Sequence, residues 1–366
     1  MSWHSVHIHY YDDQNELLLD GVRPLLRRLR GSVESAYFLR HWRQGPHVRL
    51  LLNAEPQMYA DVVRPLVDVV IGDFLARRPS AASIKPADRL PEHRLLAARE
   101  KDTGPLMPWH PDNSIHDAEP DDQTVVLGGV EAARLLADFY CDTTELAFDM
   151  LAFARAGGQL QRIAFDLLVA TAGAFWRHGL SSGFLGLRSL AELFLETWPE
   201  GHGVRSAWER HSRQHSTALA HEASDVAATL SGGFSGIPFV GEWVAAVAPF
   251  KERAGSLVAD GALSLPIAYY LRGGPTGPMS EFHRTLSESR VYRERVAPSQ
   301  AFAEYRVALN LCYLHLTRLG ISPAQRFLLC HLAADAVETA YGITTRDLID
   351  PRREPGAEPG YRGPVA

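Results

Sequence analysis

The chain has 366 residues, 46% of them hydrophobic and 22% charged, and its 43 acidic against 37 basic side chains give a formal net charge of −6. This is the composition of a globular protein with a sizeable core, which excludes fibrous and disorder-dominated classes, and a mildly acidic chain is a poor general binder of nucleic acid. The three cysteines, Cys141, Cys312 and Cys330, lie in apolar, helix-like surroundings without metal-ligand spacing and read as buried thiols of a reducing cytoplasm. There is no basic and apolar signal peptide at the N-terminus and no uninterrupted apolar run approaching about 18 residues, so a cytosolic protein without a membrane span is expected.

In chain order, Ser5 to Tyr11 alternates as an opening strand with His7 and His9 on one face. Two histidines so placed can ligate zinc, but no third ligand is visible and no metal is predicted. A helix is expected over Leu17 to Leu29 despite Pro24. The stretch Tyr37-Phe-Leu-Arg-His-Trp-Arg-Gln-Gly-Pro-His-Val-Arg-Leu-Leu-Leu52 then reads as two strands of period two joined by a tight turn at Gln44-Gly45-Pro46. Pairing of its arms holds Arg40 and Arg49 on rigid backbone near the same end of a sheet, where guanidinium groups can orient a carboxylate or an amide oxygen. Taken without context, both equally suit solvated strand arginines.

Met58 to Arg78 has helical spacing through Val62, Leu66, Val69 and Val70, with Pro65 at a kink or near the start. The pattern dissolves over residues 79–124 into a long loop or lid, in which Pro105 to Trp109 is apolar enough to dock on the chain itself or on a peptide. Helices follow over 130–156, 161–178, 188–197 and 202–230, and another runs through Trp243, Val247 and Phe250. Ser299 is placed as an N-cap of a helix ending at Gly320, and Ser322-Pro323-Ala-Gln325 reads as a capping box opening a second helix to Gly342, which makes an αα-hairpin. Its first helix carries a polar stripe of Arg306, Asn310, Tyr313 and Thr317 beside an apolar one. Residues 350–366, rich in Pro, Gly and charge, are expected to be disordered. The whole reads as one α+β domain over 1–349, mainly helical, with a small antiparallel or mixed sheet.

Motifs of ordinary enzymology are missing. Gly179-Leu-Ser-Ser-Gly183 fits the string of a hydrolase nucleophile elbow, but a helix precedes it where a strand is required, so a helix end and turn explain it better. His221-Glu-Ala-Ser-Asp225 lacks the second histidine of a zinc-protease helix, and neither a Walker lysine nor a dinucleotide glycine pattern is present.

The runs Trp3 to Tyr11, Leu17-Leu-Leu-Asp20, Arg23-Pro-Leu-Leu26, Phe38-Leu-Arg40 and Gly45-Pro-His-Val-Arg49 resemble the start of the domain shared by lantibiotic dehydratases and thiopeptide biosynthesis enzymes. That resemblance implies the fold of the domain which, in the dehydratases, eliminates glutamate from glutamylated serine. It also exposes three departures. Where the eliminases carry two arginines in a His-x-Arg-x-Arg strand, this chain has His47-Val-Arg49-Leu-Leu51; where an arginine precedes paired glycines it reads Val125-Val-Leu-Gly-Gly129; and where a catalytic histidine opens a helix it has Tyr313-Leu-His-Leu-Thr-Arg-Leu319.

The free-standing relatives of that domain include the thiopeptide pyridine synthases, which join two dehydroalanines of one peptide by a formal [4+2] aza-cycloaddition with loss of water and leader peptide. Phe282-His-Arg-Thr-Leu-Ser-Glu-Ser-Arg-Val-Tyr292 and Phe302 to Tyr313 resemble the corresponding region of those enzymes. The resemblance implies Ser287, Tyr292 and Tyr313 in proton handling, with Arg40, His47, Arg49, Asn310 and His315 binding substrate. It further implies no cofactor and, as partner, a leader-bearing precursor peptide containing azoles and dehydroalanines. Tyr305 and Tyr313 also suit plain helix packing. A stand-alone glutamate eliminase, disfavoured by the missing arginines, and a non-catalytic leader-binding subunit are the alternatives.

Overall fold

The computed structural model describes residues 1–100, 102–121, 124–198, 201–233, 236–263 and 280–349. The tail at 350–366 lies outside them. The chain clusters into two compact units, residues 1–122 with 140–156, and residues 123–139 with 157–366, where the sequence reading treats 1–349 as one domain.

The first unit is built on a four-stranded antiparallel sheet of order β2-β3-β1-β4, with β1 Ser2–His9, β2 Ser35–His41, β3 His47–Ala54 and β4 Ser114–Ala118. The expected hairpin is β2 and β3, and its turn uses the positive φ of Gln44 and Gly45. Strand alternation splits the sheet into two chemically different faces. Val6, Ile8, Phe38, Val48, Leu50 and Leu52 are fully buried on one face, where Phe38 stacks on Phe148 at 5.0 Å. The other face carries His7, His9, His41, His47 and Arg49, which the registers Leu39↔Arg49, His7↔Arg49 and His9↔His47 bring side by side.

Two helices of this unit share one device. Gln14–Leu17 and Arg23–Arg28 are joined by a π turn at Leu18–Val22, and Pro56–Met58 and Arg64–Arg77 by another at Tyr59–Val63. In each case an Arg-Pro-Leu string follows the wide turn, so Pro24 and Pro65 sit where a missing N–H and a bulky ring are tolerated. The second helix buries Val63, Val67, Val70, Ile71 and Phe74; of the positions expected at helical spacing, Val70 is buried, Leu66 half-buried, and Val62 and Val69 exposed.

The long loop expected over 79–124 is corrected. It contains a helix, Pro86–Glu100, and the edge strand β4, whose Ser5↔Ala118 to His9↔Ser114 register completes the sheet. Ser-Ile-His-Asp-Ala has little strand signature of its own and becomes a strand by pairing with the edge of β1. Trp109 of the Pro105–Trp109 segment packs within the unit, stacked on His93 at 5.4 Å and edge-on to Tyr11 at 5.5 Å, whereas Met107 stays exposed.

The second unit is helical. Leu160–Phe175 is apolar on nearly every side and is surrounded by Leu180–Thr197, Gly201–Leu230, Val240–Ala259, Gln300–Arg318 and Pro323–Tyr341. The region read as one helix over 130–156 is two, Val130–Asp142 and Thr144–Arg155. The Gly179 to Gly183 string opens the Leu180–Thr197 helix and has no strand before it. A Cβ at Gly183 would run into the carbonyl oxygen of Ala172, so this glycine serves the close approach of two helices rather than a nucleophile. The C-terminal hairpin forms as expected: Ser299 caps Gln300–Arg318, and Ser322 and Gln325 make the reciprocal capping box of Pro323–Tyr341.

Candidate active site

In the first unit the sheet's polar face gathers six imidazoles. Ring centroids lie 4.6 Å apart for His7 and His47, 4.6 Å for His9 and His47, 4.7 Å for His9 and His110, 5.4 Å for His41 and His47, and 4.4 Å for His110 and His116. Burial, reinforced by neighbouring cationic groups, pushes His7 and His9 down to about 3 and holds His41 and His47 well below the ordinary histidine value. These rings are therefore neutral near pH 7.

His47 and Arg49 are brought together. Arg49 Nε donates to His47 Nε2 at 3.2 Å, and His47 Nδ1 lies 2.8 Å from Gly45 O, so a neutral ring donates through Nδ1 and accepts through Nε2. The Arg49 guanidinium is paired with Asp121, and the nearby Arg43 with Asp102 at 2.8 Å. Asp102 and Asp121, unnoticed in the sequence, thus already neutralise the cations of this face. Leu51 continues the same face and is buried. Arg40 projects to the opposite face, since it pairs with Val48, and bonds Asn15 at 2.6 Å and Gln14 at 3.5 Å. Arg40 and Arg49 share one end of the sheet and cannot grip one ligand together. Among the described residues, no three His, Cys, Asp or Glu side chains are arranged to hold a metal ion.

In the second unit the predicted residues fall on the Gln300–Arg318 helix and the segment before it. Ser287 sits exposed in the helix Glu281–Glu288, its Oγ donating to Arg284 O at 2.7 Å. Tyr292 opens a π turn, Tyr292–Val296, and packs edge-on against Phe302 at 5.9 Å. Burial raises its phenol above the ordinary value, and Arg306, whose guanidinium lies over Phe302 at 5.8 Å, pulls the other way. Asn310 and Tyr313 follow along the helix, both half-buried. The Cα path from Phe302 to Tyr313 is about 16 Å at 1.5 Å per residue, a length suited to an extended peptide.

One predicted role changes. His315 is 0% exposed, packed against Trp243 at 4.9 Å, and belongs to the core rather than to a substrate surface. Tyr305 is also buried, its hydroxyl donating to Gly183 O. Tyr313 by contrast lies under Arg326, whose guanidinium carbon is 3.8 Å from the ring centroid and whose Nη1 donates to Tyr313 O at 3.4 Å and to the Thr317 hydroxyl. Arg326 was missed, although the helix hairpin implies it: folding about Gly320 to Ser322 brings residue 326 opposite residue 317. Behind them Phe327 lies tilted against Tyr313 at 5.5 Å and stacks on Phe194 at 4.9 Å.

A small antiparallel sheet and a helical bundle with a half-buried face of phenols, an amide and guanidinium groups define an α+β protein. The model of the family described as lantibiotic biosynthesis dehydratase, C-terminal, matches residues 3–337, and the chain belongs to that family. Among solved structures, the pyridine synthase TbtD from thiomuracin biosynthesis is 38% identical, with 94% of this chain and 100% of that one covered at a TM-score of 0.78. TsrL is similar in fold, at 21% identity, covering 97% of this chain and 99% of that one with a TM-score of 0.72. No curated protein sequence matches.

Proposed function

We propose that the chain is a thiopeptide pyridine synthase, forming the central six-membered nitrogen ring of a ribosomal peptide by formal [4+2] aza-cycloaddition of two dehydroalanines. The observation that carries this reading is the 38% identity to a pyridine synthase over that enzyme's entire length. The departures from eliminase chemistry support it: Arg49 is the one strand arginine kept, its charge is matched by Asp121, and a tyrosine stands at 313. A glutamate eliminase needs free cations to hold the departing carboxylate.

The reaction asks for approximation and for proton movement on an amide. Holding two distant residues of one peptide together contributes about 7–11 kcal/mol in well-oriented systems, so the half-buried face can do much of the work by binding. Tyr313 accepts the amide N–H proton of the azadiene partner and returns it to the amide oxygen, which gives the imidic-acid tautomer, while Tyr292, kept protonated by its burial and packed at the Phe302 end of the face, donates a hydrogen bond to the bound peptide. After ring closure, loss of water and loss of the leader as an amide each remove one ring C–H proton to a base and deliver one proton to the leaving group. The acid and base return to their starting states. In this reading the Ser287 hydroxyl, its own hydrogen given to Arg284 O, accepts from a backbone N–H of the bound peptide, Asn310 bonds a further backbone amide, and no cofactor is required.

The test is mass spectrometry of the purified protein with a leader-bearing azole peptide containing two dehydroalanines. A macrocycle lighter by water, together with free leader amide, is expected, and Tyr292→Phe and Tyr313→Phe should each slow it by about 10²–10⁴-fold. An unchanged but bound peptide would favour the leader-binding subunit. Release of glutamate from a glutamylated precursor would favour the eliminase.

A further inference from the structure

Arg326 is a buried guanidinium, 5% exposed, and among the described residues no carboxylate lies within ion-pair distance of it. Its Nε has no hydrogen-bond partner. The other buried arginines of known pairing differ: Arg49 has Asp121, and Arg188 has Asp335 and Glu338. An uncompensated buried charge is costly and is kept where it acts on something nearby. What lies nearby is the face of Tyr313, 3.8 Å from the guanidinium carbon, with the Tyr313 carbonyl and the Thr317 hydroxyl fixing the fork above it.

Resting on the pyridine synthase reading for its biological meaning, we infer that Arg326 is a positioning residue that supplies the missing counter-charge to a Tyr313 phenolate and so makes Tyr313 the base of the site. A cation over an aromatic face attracts the neutral ring through its quadrupole and the ionised phenol more strongly, through full charge. At an effective dielectric of about 20, a unit charge about 5 Å from the phenolate oxygen favours ionisation by about two pH units. The buried fork thus gains the anion it lacks in the resting phenol, and the phenol becomes a better proton acceptor near neutral pH. Tyr292, in the π turn ahead of that helix and raised by burial, keeps the donor role, so the two tyrosines are tuned in opposite directions.

The experiment is a pH titration of phenolate absorbance in wild type, Arg326→Met and Arg326→Lys, each read as the difference from the same protein carrying Tyr313→Phe, so that only this phenol is reported. In wild type the midpoint is expected below the ordinary tyrosine value of about 10. It should rise by about one to two units in Arg326→Met and by less in Arg326→Lys, and the low-pH limb of the ring-forming rate should move with it. Far-UV circular dichroism and a melting curve establish that each variant is folded, and the lysine variant keeps the test alive if the methionine one is not.

An unmoved midpoint in a folded variant, with or without a change in melting temperature, would overturn the inference and leave Arg326 a packing residue. A midpoint that follows the charge while no variant makes a ring would sustain the inference and refute the pyridine synthase reading instead.

Discussion

Lowering the pH from 7 to 5 should cost this protein a large part of its stability through the histidine face of the sheet. His7 and His9 titrate near 3 in the folded chain against about 6.5 when unfolded, so the folded state binds fewer protons and stability is lost as the pH falls below about 6.5. Integrating the proton uptake of the unfolded chain from pH 7 to 5 gives about 2 kcal/mol for each ring, hence about 4 kcal/mol for the pair. His41 and His47 act in the same direction and add to it. Against a total of about 5–15 kcal/mol, this is enough to bring urea midpoints down sharply.

The assay is urea unfolding at half-unit pH intervals, followed by far-UV circular dichroism and tryptophan fluorescence. His9→Leu, which replaces a fully buried ring having no hydrogen-bond partner at either nitrogen, should flatten the pH dependence by about 2 kcal/mol. A wild-type midpoint constant from pH 7 to 5, or a His9→Leu curve falling as steeply as wild type, would refute the reasoning.

Two further predictions concern the helical unit. Gly183→Ala should destabilise it by about 1–3 kcal/mol or more, seen as a lower melting temperature, because the new methyl meets the Ala172 carbonyl and disturbs the acceptor of the Tyr305 hydroxyl. Replacing Asp335 and Glu338 together by Asn and Gln should cost about 3–5 kcal/mol by stranding the buried Arg188. Either replacement alone should cost less than half of that, since the other acid remains. Additive single and double values in denaturant unfolding would count against a shared ion triad.

The parts legible in the sequence are those with local codes. The alternation of Tyr37 to Leu52 and its Gln-Gly-Pro turn yield β2 and β3, because side-chain period and turn chemistry act within a few residues. Ser299 and the Ser322–Gln325 box place two helix starts for the same reason: the orphan N–H groups they satisfy lie one turn away. The family was also readable, since its motifs are short strings.

What tertiary structure decided depends on residues far apart in the chain. Ser114 to Ala118 is a strand only because β1 offers an open edge. His315 lies in the same stretch of helix as Tyr313, yet the packing of Trp243 makes it core. The neutrality of His7, His9, His41 and His47 follows from strands and a loop converging, and Arg49 owes its counter-ion to Asp121, 72 positions later. Arg326 reads in the sequence as one more helical arginine. Only the folded hairpin buries it over Tyr313, with no carboxylate in ion-pair distance among the described residues, because the cost of a buried charge is set by every group around it and not by its neighbours in the chain.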